Sequence, residues 1–446
     1  MSFLRYESYR DSGVTWLGMV PNSWDVSRIR HLFEIKKRIS GTDGYEVLSI
    51  TQQGIKAKDI ESGDGQLSAD YSKYQVVEVG DFAMNHMDLL TGYVDISPKF
   101  GVTSPDYRVF SVRNKDVCFD KYFLYLFQAG YRNKIFYAFG QGSSQLGRWR
   151  FPTDEFNNFE FPLPPFGEQR AVVSFLDHEI AKIDALAAEQ HRLTQLLSEK
   201  RQSVISALLT KGRNDAVPMK DSGIRWLGQV PAHWEVRKLS SLSTKITNGY
   251  VGPTRDILVE EGVRYLQSLH IKRNRIKFDE PYYVTETWSQ EHKKSILEKG
   301  DVLIVQTGDI GQVAVVPERF VGCNCHALII VAPVRHVVSG EWLAWTLNAD
   351  YGKHSLLSIQ TGALHPHLNC GNVKDLYVPL PPLAEQNEIV AACEETTEKL
   401  DGLIAEAQAA ITLLHERRTA LIYAAVTGKI DVRGLAESRL EEVAAE

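Results

Sequence analysis

Three sets of residues in this 446-residue chain have types and spacings that could do chemistry. Cys323-Asn324-Cys325-His326, together with His365-Pro366-His367 and Cys370, supplies enough thiolate and imidazole groups for a tetrahedral zinc site. Cys-x-Cys is tighter than the usual ligand spacing, and the residues 220 positions earlier are Thr103, Ser104, Pro105 and Asp106. A metal would therefore be peculiar to the second half, so these residues read as buried cysteines and loop histidines and no metal is assigned. Leu163-Pro164-Pro165-Phe166 comes close to the acidic-or-Asn Pro-Pro-aromatic motif with which adenine methyltransferases hold a base. Leucine cannot accept the amino hydrogen bonds, and the second copy reads Leu380-Pro381-Pro382-Leu383. A rigid lead into a helix is the better reading, because proline fixes its own backbone. No GxxxxGK[ST] phosphate loop is present, and no catalytic residue is assigned.

The third set consists of polar and basic residues beside glycine turns, where side chains could meet DNA. Arg and Lys bind phosphate or guanine, Asn and Gln suit adenine, and Thr can touch base edges or backbone. The candidates in the first half are Gln52, Gln53, Lys56, Asn85, Ser143, Ser144, Arg148 and Arg150. In the second half they are Tyr250, Thr254, Arg255, Lys272, Arg273, Arg275, Gln306, Thr307, Asp309, Gln360, Thr361, His365 and His367. For any one of them ordinary solvated surface is an equal explanation. The basic run Lys272-Arg273-Asn274-Arg275-Ile276-Lys277 stands out by charge density.

What must position these residues is a duplicated scaffold. DSGVTWLGMVPNSWDV at Asp11–Val26 returns as DSGIRWLGQVPAHWEV at Asp221–Val236, and FPLPPFGEQ at Phe161–Gln169 returns as VPLPPLAEQ at Val378–Gln386. A repeat of this length implies two copies of one module. Trp16, Trp24, Trp226 and Trp234 recur at matching positions, and identical residues cannot discriminate different targets, so they are expected to pack each module onto a helix base. Glu168-Gln169 and Glu385-Gln386 stand at helix starts, where an acidic side chain favours the positive end of the dipole.

After each Pro-Pro pair, apolar residues recur at three- and four-residue steps: Val172, Leu176, Ile180, Ile183, Leu186, Leu193, Leu197, Val204 and Leu208, then Ile389, Cys393, Leu400, Leu403, Ala407, Leu414, Leu421 and Ala425. This periodicity predicts two long helices with coiled-coil-like seams. Each would be roughly 65 Å long at about 1.5 Å per residue. The linker GRNDAVPMK spans only about 35 Å when extended, so the second module must lie near the far end of the first helix. If that module is compact with neighbouring termini, the second helix starts there and runs back, antiparallel. Between these parts, Tyr45–Ile50, Tyr74–Val79 and Asp301–Val305 read as strands, and Cys118–Gly130 and Gly340–Tyr351 as short helices. The expected fold is α+β: two mixed α/β modules (1–163 and 212–380) separated by an antiparallel pair of long helices (164–211 and 381–428), a pseudo-twofold repeat with a loose tail (429–446).

Composition permits this organisation. The net charge of −6 conceals a division, because Leu383–Thr427 carries eight Asp/Glu against three Lys/Arg and Gly428–Glu446 five against three. The rest is near neutral, so DNA binding by the globular parts is allowed. An odd count of five cysteines shows no disulfide framework. No apolar run approaches the roughly 20 residues of a membrane span, and the N-terminal sequence lacks a secretory pattern, so a cytoplasmic location is expected.

The order module, long helix, module, long helix, with W-L-G-x-V-P-x-x-W before each module and PLPPxxEQ before each helix, resembles the specificity subunits of type I restriction-modification systems. GDFAMNHMDLLTGYVDIS and GVTSPDYRVF in the first module, and GDVLIVQTGDIGQVAVV in the second, look like that family's target-recognition domains. The resemblance covers nearly the whole chain. It implies a non-catalytic subunit that binds a bipartite, asymmetric double-stranded DNA target, holds two adenine methyltransferase subunits, and through them recruits restriction subunits. S-adenosylmethionine, ATP and Mg would belong to those partners, and this chain would bind no cofactor. The alternative is a two-headed DNA-binding regulator or scaffold without modification partners.

Overall fold

The computed structural model describes residues 4–59, 68, 70–143, 148–362 and 366–434. The chain divides into two compact units, Met1–Gln190 with Ala409–Glu446, and His191–Gln408.

The first unit is built from β1 (Asp25–Arg28), β2 (Phe33–Lys36), β3 (Leu48–Thr51), β4 (Gly54–Ala57), β5 (Phe82–Met84), β6 (Val94–Ile96), β7 (Arg108–Val112), α1 (Asp120–Arg132) and β8 (Glu160–Leu163). It also holds the start of α2 (Phe166–Lys211). A four-stranded antiparallel sheet runs β2-β7-β5-β6. The side chains filling its core are mostly aromatic. Phe33 meets Phe82, Phe110, Phe123 and Phe127 at 5.3–5.5 Å between ring centres, all edge-on or nearly so, the geometry that the ring quadrupole favours. A separate ribbon pairs β1 with β8, Phe161 opposite Ser27 and Leu163 opposite Asp25. β8 then runs through Pro164-Pro165 into α2.

The second unit repeats this order with β9 (Glu235–Lys238), β10 (Ser243–Asn248), β11 (Ile271–Lys272), β12 (Arg275–Ile276), β13 (Val302–Val305), β14 (Val313–Val315), β15 (Leu328–Pro333), α3 (Gly340–Asn348), β16 (Tyr377–Leu380) and the start of α4 (Leu383–Val426). Its main sheet runs β10-β15-β13-β14, and the ribbon pairs β9 with β16. Here aliphatic residues fill the core: Val302, Ile304, Val313, Ile329 and Val331 with Trp342 and Leu343. β13 is buried along its whole length, which is why Val302–Val305 reads as a continuous apolar run without alternation.

Each long helix touches its partner within both units. In the first, Arg418 Nε bonds Asp184 Oδ1 at 3.1 Å, and in the second Arg201 pairs with Asp401. Seam residues Val172, Leu176, Ile180 and Ile183 are buried. Further along α2 the buried positions are Ile205 and Leu209 rather than Val204 and Leu208. That one-residue shift follows from the contact: Ile205 and Leu209 join Leu227, Val230, Trp234 and Leu239 of the second unit's sheet base, so a domain surface sets the buried face there. Leu186, Leu193 and Leu403 are exposed, contrary to a fully buried seam.

Other local expectations shift as well. The β-branched runs give the shorter strands Leu48–Thr51, Gln75–Val77 and Val302–Val305. The helix expected over Gly340–Tyr351 breaks at Ala349, which adopts φ −70°, ψ 167° between Gly340–Asn348 and Asp350–Ser358. Of the four repeated tryptophans, Trp24 and Trp234 are fully buried and Trp16 stacks on Phe159 at 5.4 Å. Trp226 is 55% exposed and lies flat against His354 at 5.9 Å. The residue that corresponds to Phe159 across the 217-residue offset is Leu376, which offers no ring to stack on. Glu168 and Glu385 do more than face a helix dipole. Glu168 accepts the Tyr6 hydroxyl, while Glu385 accepts Trp234 Nε1–H at 3.0 Å and contacts His233 Nε2 at 2.8 Å.

Candidate nucleic-acid interface

In the first unit, β3 and β4 form a tight hairpin with Thr51 paired to Gly54 and Gln52 and Gln53 at its tip. Both glutamines are exposed. Gln52 Nε2 donates to Thr91 O at 3.3 Å, and Lys56 Nζ donates to Gln53 Oε1 at 2.6 Å. Three sequence candidates, Gln52, Gln53 and Lys56, thus stand together beside the loop that joins β5 to β6. Asn85 opens that loop, but its carboxamide accepts from Met87 N at 3.3 Å, so it shapes a turn. Ser143 and Arg148 pair across a separate short ribbon in which Arg150 is opposite Gln141, with Arg150 exposed. Ser144 lies outside the described residues.

His86, in the same loop, was not among the candidates. Burial, aided by the positive charges of Arg108 and Arg150, lowers its pKa to about 3, so it stays neutral at physiological pH. Its position next to Asn85 gives no periodic or motif signal, and only the fold reveals the enclosure.

In the second unit the corresponding hairpin is β11–β12, with Lys272 paired to Arg275. Lys272 Nζ reaches Asp309 Oδ2 at 3.0 Å, and this hydrogen bond holds the Asp309 carboxyl below its ordinary range. Two candidates therefore engage each other. Arg273 and Arg275 are exposed, and their side chains make no hydrogen bond or ion pair among the described residues. Thr307 is exposed, and Gln306 is half-buried, its backbone carbonyl accepting from Leu368 N at 3.0 Å. That bond joins the Gln306–Asp309 turn to the segment in which Thr361 and His367 pair through N–H···O bonds of 3.0 and 2.9 Å. Gln360 precedes this pair and is half-buried. His365 lies outside the described residues.

Among the described residues, Tyr250, Thr254 and Arg255 make no hydrogen bond to this strip. Tyr250 instead stands edge-on to Trp288 and His292, each at 5.1 Å. Thr254 is half-buried in a turn, and Arg255 is exposed beside it. Gln312 and Asn348, absent from the candidates, hold the β11–β12 tip from below. Arg273 N–H donates to Gln312 Oε1 at 3.1 Å, and Asn348 bonds the Asn274 side chain.

Of the candidate cysteines, Cys323 and Cys325 go to the interior and Cys370 is half-buried. Cys323 and Cys325 lie in the core with Leu266, Leu303 and Phe320, and burial pushes the Cys323 thiol up to about 11 and Cys325 higher still. Cys370 Sγ donates to Asn248 Oδ1 at 2.8 Å. Among the described residues no three His, Cys, Asp or Glu side chains are grouped to hold a metal ion. No described helix is long and apolar enough to cross a membrane.

Two mixed α/β modules, each feeding a long helix through a Pro-Pro step and each offering a different set of exposed polar residues on corresponding loops, define a duplicated recognition protein. Residues 21–195 and 231–412 match the family described as the type I restriction modification DNA specificity domain. The chain belongs to this family of type I restriction-modification specificity subunits. It is 22% identical to the EcoBI specificity subunit of Escherichia coli, over 74% of this chain and 70% of that protein. It is 21% identical to a putative MjaX specificity subunit of Methanocaldococcus jannaschii, over 97% of this chain and 99% of that one. Its fold is similar to a chain from a structure describing complex assembly and conformational transition of the type I restriction-modification system, with a TM-score of 0.69 at 15% identity over 91% of this chain and 98% of the other. It is also similar to the HsdS subunit of Thermoanaerobacter tengcongensis, with a TM-score of 0.55 at 15% identity over 92% and 98%.

Proposed function

We propose that this chain is the DNA-reading, non-catalytic subunit of a type I restriction-modification assembly. It recognises a bipartite, asymmetric double-stranded target, one half with each unit, and its long helices form an antiparallel spacer that carries two methyltransferase subunits and, through them, restriction subunits. S-adenosylmethionine, ATP and Mg are bound by those partners. The carrying observation is that one frame is built twice with different exposed side chains at corresponding tips: Gln52 and Gln53 in one unit, Arg273 and Arg275 in the other. The sheets, ribbons and Pro-Pro steps repeat, so what differs is what a duplex would meet. Leucines left exposed on the helices, Leu186 and Leu413 in the first unit and Leu193, Leu196 and Leu403 in the second, supply apolar surface for partner subunits.

The test is co-expression with adenine methyltransferase subunits of type I systems from the same genome, followed by mapping of methylated adenines. A complex with two methyltransferase copies that marks a two-part motif supports the reading. A chain that co-purifies with no methyltransferase, or that methylates or cuts DNA alone, would overturn it.

A further inference from the structure

The two units share a six-residue hairpin frame whose ends match and whose tip does not. Ile50 pairs with Ile55 around Thr51-Gln52-Gln53-Gly54, and Ile271 pairs with Ile276 around Lys272-Arg273-Asn274-Arg275. The isoleucines are separated by the same 221-residue offset at both ends, and all four are buried. Each tip meets the connection between the last two strands of its own main sheet, the first through Gln52 Nε2–H to Thr91 O, the second through Arg273 N–H to Gln312 Oε1 at 3.1 Å. The same anchoring in both units with a different tip in each is what a base-reading element requires, since the frame fixes the approach and the tip selects.

The second tip carries further information in its backbone. Arg273 and Asn274 adopt φ of 44° and 66°, two consecutive non-glycine residues in the left-handed region, the pattern of a type I′ turn. Side chains rarely occupy this region and do so where the surroundings hold them. Asn348 supplies that hold, its Nδ2 donating to Asn274 Oδ1 and to Val313 O at 2.8 Å, while its Oδ1 accepts Val313 N–H at 3.0 Å. Lys272 pairs with Asp309 at 3.0 Å, which leaves Arg273 and Arg275 as the exposed cations at the tip. A two-stranded ribbon fits the major groove, and the arginine fork matches O6 and N7 of guanine, whereas a glutamine carboxamide matches N6 and N7 of adenine.

Building on the DNA-reading role proposed above, we infer that these hairpin tips choose bases: Arg273, flanked by Arg275, reads guanine in one half of the target, and Gln52 with Gln53 reads adenine in the other. The decisive variant is Arg273→Gly in the complex with its methyltransferase. Glycine suits a positive φ, so the hairpin keeps its shape and only the guanidinium is lost. The expected result is a methylation map in which one half of the motif is intact and the other loses its preference at a guanine position by about 5- to 150-fold, with a thermal midpoint no lower than that of the wild type. Gln52→Ala with Gln53→Ala is expected to relax only the opposite half, at an adenine. An unchanged motif in the Arg273→Gly complex overturns the assignment. So does a uniform loss of methylation with base preference intact, because that is the signature of a phosphate contact. A wild-type complex that marks no two-part motif removes the DNA-reading role itself, a result separable from either.

Discussion

Gly428 closes the second long helix directly against Trp24: a β-carbon at this position would stand 3.2 Å from the indole Cη2 and 2.5 Å from Pro21 Cδ. Gly212 closes the first long helix against Trp234 in the same manner, with more room, 3.3 Å from the indole Cζ2. Both have left-handed φ, 71° and 76°. The helix ends and the W-L-G-x-V-P-x-x-W motifs are therefore one structural device, in which the glycine both stops the helix and lets the backbone meet the tryptophan.

The difference in clearance gives the first prediction. Gly212→Ala should cost about 1–2 kcal/mol, the strain of a side chain in the left-handed region. Gly428→Ala adds a clash with the stiff Pro21 ring, and overpacking of that kind costs typically about 1–3 kcal/mol more. Urea midpoints of the two variants check this, and equal midpoints would show that the Pro21 contact yields without cost.

A second device explains the PLPPxxEQ motif. Gln169 Oε1 accepts Phe119 N–H at 2.8 Å, while its Nε2 donates to Val117 O and Pro164 O at 2.8 and 2.9 Å. Gln386 repeats this with Ser339 N–H, Val337 O and Pro381 O at 3.0, 3.0 and 2.9 Å. Both side chains are fully buried. Each clips the helix start to the segment leading into the short helix of its unit. Gln169→Glu or Gln386→Glu keeps the volume but removes two donors and buries a charge beside two carbonyls. A loss of about 3 kcal/mol or more is expected at neutral pH, and it should shrink on acidification as the new carboxyl gains a proton. A variant as stable as wild type at neutral pH would show that the clip contributes nothing.

The repeated frame was legible in the sequence because it depends on local chemistry, proline before a helix and glycine after it, whereas the glutamine clips were not, because their partners lie about 50 residues away. The contact surface was not, because it depends on who sits opposite. The run Lys272–Lys277 stands out by charge alone, but only the fold shows that Lys272 pairs with Asp309, 37 residues away, while Arg273 and Arg275 stay exposed. Gln312 and Asn348 carry no charge and belong to no motif, and they matter only because folding sets them under Arg273 and Asn274. Trp16 and Trp226 are the same letter in the same motif, yet Trp16 stacks on Phe159 while Trp226 stays exposed against His354.

The neutral His86 sets a pH dependence for the first unit. Its pKa falls from an ordinary 6.5 to about 3 in the folded chain, chiefly because burial disfavours the imidazolium. Between these values the unfolded chain binds a proton that the folded chain refuses, so stability is complete above about pH 6.5 and declines as pH falls toward 3. Carried through the whole window the loss is on the order of 4 kcal/mol. Carboxylates titrate in the same range, so the informative quantity is a difference. His86→Gln removes the titrating group while leaving those carboxylates in place, and its stability should fall less steeply with acid by about one proton. Urea midpoints measured for both proteins from pH 7 to pH 4 decide the matter: parallel curves would mean that His86 is protonated in the fold and that the enclosure around it admits water.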